Sequence, residues 1–240
     1  GRPNDRAVCI PWREEWEKKR KVTPETAAAV SLTDHPVSKA VQATPAADIS
    51  FTPKPVPSSP TKAENAAARV AAKAVQKMAT KAELEAVQTF TSAGYSRMRA
   101  IDRGDTEGLP TGKILAAYQR HVEALTGFLE RATPMPGTVH RGLYKLSDET
   151  IGAFLSKPTI TLDAFASSSR DYKEAHKFAT SNAEPERAAI LILKHRSGVP
   201  IETMSTTPEE REVMLKKGTS FKVTSRYVLG GILHIEGIEQ

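Results

Sequence analysis

The spacing of apolar residues changes from helical to strand-like near residue 137, and this change restricts the possible folds more than any other feature. Residues 62–90 are almost all strong helix formers, and Thr80 with Glu83 three positions later predicts a capped second helix. Residues 114–131 place apolar side chains three and four positions apart, which indicates an amphipathic helix. Helices that precede strands in this way predict an α+β domain.

The second half of the chain is predicted to be rich in strands. Candidate strands, each short and bounded by polar or glycine-containing segments, cover residues 138–143, 160–167, 189–193, 210–215, 220–224 and 231–238. Residues 171–179 carry a helical pattern between them, beginning at an acidic residue. We therefore expect a helical lobe over residues 62–136 and a strand-rich core over residues 137–240.

Residues 1–61 differ in composition and are predicted to be a polar, largely disordered tail and linker. Proline occupies nearly every second position of TPKPVPSSP, residues 52–60. Because proline removes backbone donors and blocks helix formation, this stretch should be an extended spacer. Such a spacer is typical of modular proteins, and we expect the domain to be part of a longer chain.

Charge, cysteine content and hydropathy restrict the class of function. The net charge of +6 is spread along the chain rather than packed into one block, so nucleic-acid binding is not indicated. The single cysteine, Cys9, excludes an internal disulfide framework and a cysteine-based zinc site. The six histidines show no metal-ligand spacing, so no metal is expected. No apolar run approaches the length of a membrane span, so no membrane association is expected.

The common nucleotide-binding motifs do not fit this sequence. The segment GLPTGK, residues 108–113, has one residue too few between its glycines for a phosphate-binding loop. Ile114 then stands where such a loop needs a serine or threonine. No G-x-G-x-x-G follows a predicted strand, so a Rossmann type of dinucleotide site is not supported.

Three short segments carry side chains suited to one chemical site. Glu210-Arg211-Glu212 is predicted to begin a strand, in which both glutamates would face one side about 7 Å apart. Ser167 begins a triplet of serines after an apolar segment, and Arg141 lies within an apolar strand. Alone, each motif is common, because acidic pairs usually face solvent, serines often form turns and arginines often lie at strand edges.

The order and spacing of these motifs resemble a known family. The chain carries Arg-Gly-Leu on a strand, then Phe-x-Ser-Ser-Ser, a helix, a buried strand, a polar loop and Glu-x-Glu-Val-x-Leu-x-x-Gly-Thr-x-Phe-x-Val. This order is similar to that of the arginine–serine–glutamate branch of the ADP-ribosyltransferases, which includes clostridial binary toxins, vertebrate ecto-enzymes and phage and bacterial effectors. The resemblance implies a split, mostly antiparallel two-sheet β core that follows the helical lobe.

The resemblance also implies that NAD is bound and consumed as a substrate, and it gives each motif a role. Glu212 is expected to bond to the ribose 2′-hydroxyl and stabilise the positive charge that develops as the nicotinamide–ribose bond breaks. Ser167 is expected to hydrogen-bond Glu212, and Arg141 to bind the pyrophosphate. Backbone groups of Gly142 should hold the nicotinamide amide, while Phe178 either packs on the nicotinamide ring or is a core residue of its helix.

Glu210 implies arginine as the acceptor. A guanidinium stays protonated in water and is a poor nucleophile, and a nearby carboxylate can bind it, orient it and help to deprotonate it. Relatives with glutamate at this position typically modify arginine. The resemblance therefore implies an arginine-specific mono-ADP-ribosyltransferase, a secreted or injected bacterial or phage-borne effector that modifies a target protein in the cytoplasm of a target cell. An inhibitory immunity protein is a further candidate partner.

Three other functions stay open at this point. The first is NAD glycohydrolysis, for which Glu212, Ser167 and Arg141 suffice with water as the acceptor. The second is ADP-ribosylation of nucleic acid, which the positive charge permits. The third is a non-enzymatic interaction module with a degenerate site.

Overall fold

The structure is a computed structural model that describes residues 54–181 and 184–240. Four helices come first: α1 (Lys62–Met78), α2 (Lys81–Phe90), α3 (Tyr95–Arg103) and α4 (Lys113–Arg131). The remaining regular elements are β1 (Gly137–Leu143), α5 (Asp148–Ser156), β2 (Thr159–Thr161), β3 (Ala166–Ser169), α6 (Tyr172–Ala179), β4 (Ala189–His195), β5 (Val199–Pro200), β6 (Glu212–Leu215), β7 (Ser220–Leu229) and β8 (Ile232–Glu239). The predicted α+β class is confirmed.

Residues 1–53 lie outside the described residues, and with them most of the predicted tail. Residues 54–60 form neither helix nor strand. Lys54 donates hydrogen bonds to Ser225 and Glu236 at 2.8 and 3.1 Å, and Ser59 donates one to Asp171 at 3.0 Å. The last part of the proline-rich segment therefore lies against the domain.

Two capping boxes fix the starts of the first two helices. Thr80 accepts a hydrogen bond from the backbone N–H of Glu83, whose carboxylate accepts one from the backbone N–H of Thr80, as predicted. Thr61 and Glu64 repeat the arrangement at the start of α1. Each box satisfies backbone donors that the first helical turn leaves unpaired, so these threonines set the boundary between loop and helix.

The strands form one connected eight-stranded sheet in the order β2-β7-β8-β4-β1-β3-β6-β5. Neighbouring strands are antiparallel except β4 and β8, which are parallel. β1 and β3 meet at one register pair, His140 opposite Ser169. The expected split is therefore a narrow junction within a connected sheet, and the three motifs lie on the strands on either side of it.

Each face of the sheet is covered by different helices. Along β4, Leu191 and Leu193 pack in the cluster that contains α5, whereas Ile190 packs in the cluster that contains α6. Successive side chains of a strand point to opposite faces, so α5 and α6 lie on opposite sides of this part of the sheet. On the other side of the junction, Met214 of β6 packs with buried residues of α1, α2, α3 and α4.

Two predicted strands are corrected. Residues 160–167 are divided between β2 and β3, because the chain leaves β7 after Thr161 and turns into the helical lobe, where Asp102 accepts a hydrogen bond from the backbone N–H of Phe165 at 2.7 Å. The strand predicted for residues 210–215 begins only at Glu212. Pro208–Glu210 is a short 3₁₀ helix, and Arg211 has a left-handed backbone with φ of 51°.

Candidate active site

Two serines from different segments hold the carboxylate of Glu212. Ser167 on β3 donates a hydrogen bond to Oε1 of Glu212 on β6 at 2.5 Å. Ser205, in the loop between β5 and β6, donates one to Oε2. Register places Ser169 directly opposite Glu212, so Ser167 reaches it diagonally across the same face of the strand pair. The predicted Ser167–Glu212 contact is thus present in the structure.

The burial of Glu212 affects the pKa of its carboxyl group. The side chain is 6% exposed, and this burial raises its pKa, while the hydrogen bonds from Ser167 and Ser205 oppose the rise. Burial disfavours a carboxylate and donors favour it. The net pKa stays raised, and the serines reduce the rise as well as fixing the orientation of the carboxyl group.

Arg141 joins the serine strand to the helical lobe. On β1, it donates hydrogen bonds to the backbone carbonyl of Ser167 and, at 3.1 Å, to the hydroxyl of Tyr95 at the start of α3. The same hydroxyl accepts a hydrogen bond from Arg99 at 3.2 Å. Burial raises the pKa of Tyr95, but the two arginines outweigh it and the net pKa is lowered. Arg141, Ser167 and Glu212 consequently belong to one connected hydrogen-bond network.

Glu210 lies next to this network on a turn rather than on a strand. The expectation that strand alternation aligns Glu210 with Glu212 is wrong, because Pro208 begins a 3₁₀ helix and the left-handed Arg211 reverses the chain before β6 starts. Ser169 donates a hydrogen bond to the backbone carbonyl of Glu210 at 2.7 Å. The backbone of the turn is therefore anchored to β3, the strand that also carries Ser167.

The carboxyl group of Glu210 has a raised pKa of about 7. Burial is the largest cause, followed by the negative charges of Glu212 and of Glu174 on α6, while a hydrogen bond from Thr207 opposes them. The charge of Glu212 therefore contributes to the raised pKa of Glu210. A carboxylate dyad that resists double ionisation is a favourable environment for a cation.

Gly142 and Phe178 lie on the side of β1 that α6 covers. A Cβ atom on Gly142 would lie 2.0 Å from the carbonyl oxygen of Ala175, so this position requires glycine for the packing of α6 on β1. The prediction attributed the glycine to ligand approach. The structure provides this packing reason, and the ligand role stays a prediction. Phe178 is 45% exposed and contacts Tyr144 edge to face at 5.3 Å, so it is not a core residue.

Sequence reasoning missed two side chains of this network, Ser205 and Tyr95. Ser205 lies in the polar loop TMSTTPE, residues 203–209, where several hydroxyl residues are equivalent by pattern. Tyr95 begins a helix whose apolar spacing explains an aromatic residue without any polar role. Neither position carried a signal that would have separated it from its neighbours.

Two further observations bear on the class of site. Among residues 54–181 and 184–240, no group of three or more His, Cys, Asp or Glu side chains is arranged to hold a metal ion. In the same described part of the chain, no helix is long and apolar enough to cross a bilayer.

Comparison with known families identifies the family of this chain. Residues 116–236, about half of the chain, match the family model described as NAD:arginine ADP-ribosyltransferase. The chain belongs to the NAD:arginine ADP-ribosyltransferase family. It is therefore an ADP-ribosyltransferase domain that uses NAD, and the matched residues include Arg141, Ser167 and both glutamates of the Glu210–Glu212 motif.

Individual relatives agree with this family. The chain is 28% identical over 145 residues to Mav of Mycobacterium avium (strain 104), which is named as a putative NAD(+)–arginine ADP-ribosyltransferase. The match covers 60% of this chain but only 16% of that much longer relative.

Solved structures of ADP-ribosyltransferases share the fold. The Vis toxin of Vibrio splendidus aligns over 77% of this chain and 88% of its own, with a TM-score of 0.60 and 20% identity. The C3 exoenzyme of Clostridium limosum aligns over 77% of this chain and 98% of its own, with a TM-score of 0.56 and 17% identity. HopU1 of Pseudomonas syringae pv. Tomato DC3000 aligns over 70% of this chain and 80% of its own, with a TM-score of 0.55 and 16% identity.

Proposed function

We propose that the domain transfers ADP-ribose from NAD to an arginine side chain of a target protein and releases nicotinamide. The observation that carries the proposal is the pair of carboxylates around the junction of the sheet. Glu212 is buried, and two serines donate hydrogen bonds to its carboxylate. Glu210 lies on an anchored turn, and its carboxyl group has a pKa of about 7. One carboxylate is suited to each half of a transfer reaction.

Glu212 is suited to the donor half of the reaction. Cleavage of the nicotinamide–ribose bond places positive charge on the ribose, and a fixed carboxylate stabilises that charge without having to reorganise. Ser167 and Ser205 each occupy one of its oxygens, and each carboxylate oxygen has a further lone pair. The ribose 2′-hydroxyl can therefore donate to Glu212 while the serines stay in place.

The other residues predicted to bind NAD fit an anionic dinucleotide. Arg141 uses two of its five N–H donors for Ser167 and Tyr95, so donors are left for the pyrophosphate. Phe178 offers an exposed ring for stacking on nicotinamide. We propose the backbone of Gly142 as the partner of the nicotinamide amide, a role independent of the glycine's packing against α6.

Glu210 is suited to the acceptor half. A guanidinium placed beside Glu210 relieves the repulsion from Glu212 and Glu174, and its charge lowers the pKa of the carboxyl group. The carboxylate then orients the arginine and accepts its proton during transfer. The structure of Vis in complex with agmatine, an arginine-like guanidinium compound, supports this acceptor class.

The test uses labelled NAD and agmatine, with ADP-ribosyl-agmatine and free ADP-ribose measured separately. We expect Glu210→Gln to lower transfer about a hundredfold while hydrolysis changes less than about threefold, because only transfer needs the acceptor carboxylate. Glu212→Gln should lower both products about a hundredfold or more. Glu186→Gln, in the 3₁₀ helix Pro185–Arg187, removes the same charge outside the site and should change neither.

Each outcome separates the candidate functions. Transfer that survives in Glu210→Gln would overturn the acceptor role of that residue. If the unaltered domain forms only free ADP-ribose, NAD glycohydrolysis is the activity, since Glu212, Ser167 and Arg141 suffice for it. Label that nuclease removes from a lysate, with no labelled protein, would identify a nucleic-acid acceptor instead.

We also propose that the domain is part of an effector that acts in the cytoplasm of a target cell. The toxin named among the structural neighbours and the great length of the Mycobacterium avium relative support a delivered, modular protein. Expression of the domain inside bacterial or eukaryotic cells should arrest growth, and Glu212→Gln should remove the arrest. A second gene product that restores growth beside the active domain would be the expected immunity protein.

A further inference from the structure

A cavity of about 540 Å³ lies between α1 and the turn that carries Glu210. Four cationic side chains and two carboxylates line it: Arg69, Lys73, Arg170, Arg211, Glu202 and Glu209. It is separate from the Arg141–Ser167–Glu212 network, none of whose residues contributes to its wall. The donor half of the reaction therefore does not account for it.

One wall of the cavity is a polar stripe of α1. Asn65, Arg69, Lys73 and Gln76 recur three and four positions apart, so they share one face of the helix. The buried residues Ala68, Ala72 and Val75 form a separate face that packs towards β5. Within residues 54–181 and 184–240, neither Arg69 nor Lys73 has an ion-pair partner, so both cations are available to a ligand.

The opposite wall contains a buried arginine with an unused donor. Arg170 is 8% exposed and donates hydrogen bonds to Glu202 and, at 3.2 Å, to Asn65. Its Nε has no hydrogen-bond partner, and neither does the hydroxyl of Thr203, another residue that lines the cavity. Both atoms have almost no accessible surface, so a ligand in the cavity would reach them only after a shift of these side chains.

The charges in the cavity do not balance. Glu202 is neutralised by Arg170, and Arg211 pairs with Asp171. Among the lining residues, Arg69, Lys73 and Glu209 are then left without an ion pair in the described part of the chain, an excess of one positive charge. An oxyanion is the ligand class that offsets this excess of positive charge.

The cavity adjoins the acceptor side of the site. Pro208, Glu209 and Arg211 line it, and Glu210 lies between them in the sequence. Consecutive Cα atoms are about 3.8 Å apart, so the cavity wall begins within one residue of the carboxylate proposed to present the acceptor. A peptide segment with its arginine at Glu210 can therefore reach the cavity with a nearby side chain.

We infer that this cavity binds an aspartate or glutamate side chain of the target protein, close in sequence to the acceptor arginine. The inference rests on the proposed function and extends it from an acceptor residue to an acceptor motif. A protein carboxylate fits better than a nucleic-acid backbone, because two carboxylates lie among the cations and the site is one cavity rather than a basic track.

The test compares transfer to agmatine with transfer to short peptides that contain one arginine. The peptides carry Asp, Ala or Lys at each position from four before to four after the arginine. We expect at least one Asp position to raise kcat/KM about tenfold over Ala, with Lys lowering it. The Asp advantage should shrink as salt is raised, because screening weakens attraction between partly exposed charges.

Charge reversal on α1 tests the assignment of the cavity. The double variant Arg69→Glu/Lys73→Glu should lose the Asp preference and gain one for Lys, while agmatine transfer stays within about twofold. The control Lys62→Glu/Lys77→Glu makes the same charge change on α1 outside the cavity and should keep the Asp preference.

Three outcomes would overturn the inference. The first is equal transfer to Asp, Ala and Lys peptides by the unaltered domain. The second is an Asp preference that the cavity variant retains, or that both double variants lose equally. The third is competition by an oligonucleotide at the low concentrations at which an acidic peptide competes. Failure to modify agmatine or any peptide would instead overturn the proposed arginine acceptor, and this inference with it.

Discussion

Ser205 donates a hydrogen bond to Oε2 of Glu212, the carboxylate oxygen that Ser167 does not contact. Ser205 is itself held by the turn that follows, because its hydroxyl accepts a hydrogen bond from the backbone N–H of Thr207 at 3.0 Å. Thr207 in turn precedes Pro208 and contributes a hydrogen bond to Glu210. The loop therefore connects the two carboxylates, and the geometry of one depends on that of the other.

We predict that Ser205→Ala lowers kcat about tenfold at neutral pH with little change in KM for NAD. The variant loses one hydrogen bond to a charged group, and such a bond is worth about 1.5–3 kcal/mol. Its loss also lets burial raise the pKa of Glu212 further, so the loss of activity should grow as pH falls. Initial rates of nicotinamide release between pH 5 and 8 measure both effects.

A double-mutant cycle with Ser167→Ala provides the control for this prediction. Both serines act on one carboxylate, so their effects on kcat should not add. Strictly additive losses, or a loss that is the same at every pH, would mean that Ser205 acts only by supporting the fold of its loop.

The sequence predicts roles for Arg141, Ser167 and Glu212 because each residue lies in a short predicted strand. The order of the three motifs along the chain is also distinctive. It fails at Glu210 for a backbone reason. Alternation assumes that a strand extends through residues 210–212, and this assumption does not allow for the 3₁₀ helix begun by Pro208 or for the left-handed Arg211. The turn of Glu210 is nevertheless anchored to β3, the strand that carries Ser167, so the pairing of Glu210 with Glu212 stays a prediction although its derivation is wrong.

Other features depend on contacts that a single sequence does not show. The break between β2 and β3 depends on Phe165 packing against Phe90 of α2 at 6.2 Å, edge to face. The junction between β1 and β3 consists of one residue pair, which leaves no periodic pattern. By contrast, the capping boxes and the amphipathic α4 are predictable, because a few nearby residues determine each of them.

We predict that Gly142→Ala destabilises the domain by about 2–4 kcal/mol. The added methyl group would meet the backbone of α6, whose carbonyl oxygen at Ala175 cannot move aside like a flexible side chain, and overpacking of this kind is costly. Gly152→Ala on α5 is the matched control, since nothing lies within 4 Å of its Cβ and alanine favours a helix by about 0.5–1 kcal/mol. Thermal unfolding should move in opposite directions for the two variants.

An unchanged melting temperature in Gly142→Ala would show that α6 is loosely packed on β1. Nicotinamide release by the variant at low temperature adds a second measurement. If activity is lost while the fold is intact, the backbone of Gly142 has the binding role proposed for it as well as the packing role.

We predict that Tyr95→Phe raises KM for NAD about threefold to tenfold and changes kcat less. The hydroxyl of Tyr95 accepts hydrogen bonds from both Arg141 and Arg99, so its removal leaves the Arg141 guanidinium less well oriented for the pyrophosphate. Tyr118→Phe is the comparison, because its hydroxyl also accepts a hydrogen bond from an arginine, Arg97, but outside the site. Equal effects of the two substitutions would contradict a role for Tyr95 in positioning Arg141.

The raised pKa of Glu210 leads to a prediction in which stability and activity change in opposite directions. The pKa is about 7 in the folded domain against 4.5 for an ordinary glutamate, so the folded state holds this proton more tightly than the unfolded state. The resulting stabilisation is fully present below pH 4.5 and is lost as the pH rises through 7.

Glu210→Gln should therefore match the unaltered domain near pH 4.5 and be more stable at pH 8, by about 1 kcal/mol once solvent screening is allowed for. This corresponds to a melting temperature about 2–4 °C higher at pH 8. Glu186→Gln, which removes a carboxyl group outside the site, is the matched control. In the unaltered domain, kcat/KM for agmatine should rise through an apparent pKa near 7. The deficit of Glu210→Gln should grow over the same range, because both side chains are neutral below it. If Glu210→Gln is more stable at pH 8 but transfers ADP-ribose to agmatine normally, the repulsion between Glu210 and Glu212 has no function in binding arginine. A charge that lowers stability is expected only where the reaction uses it.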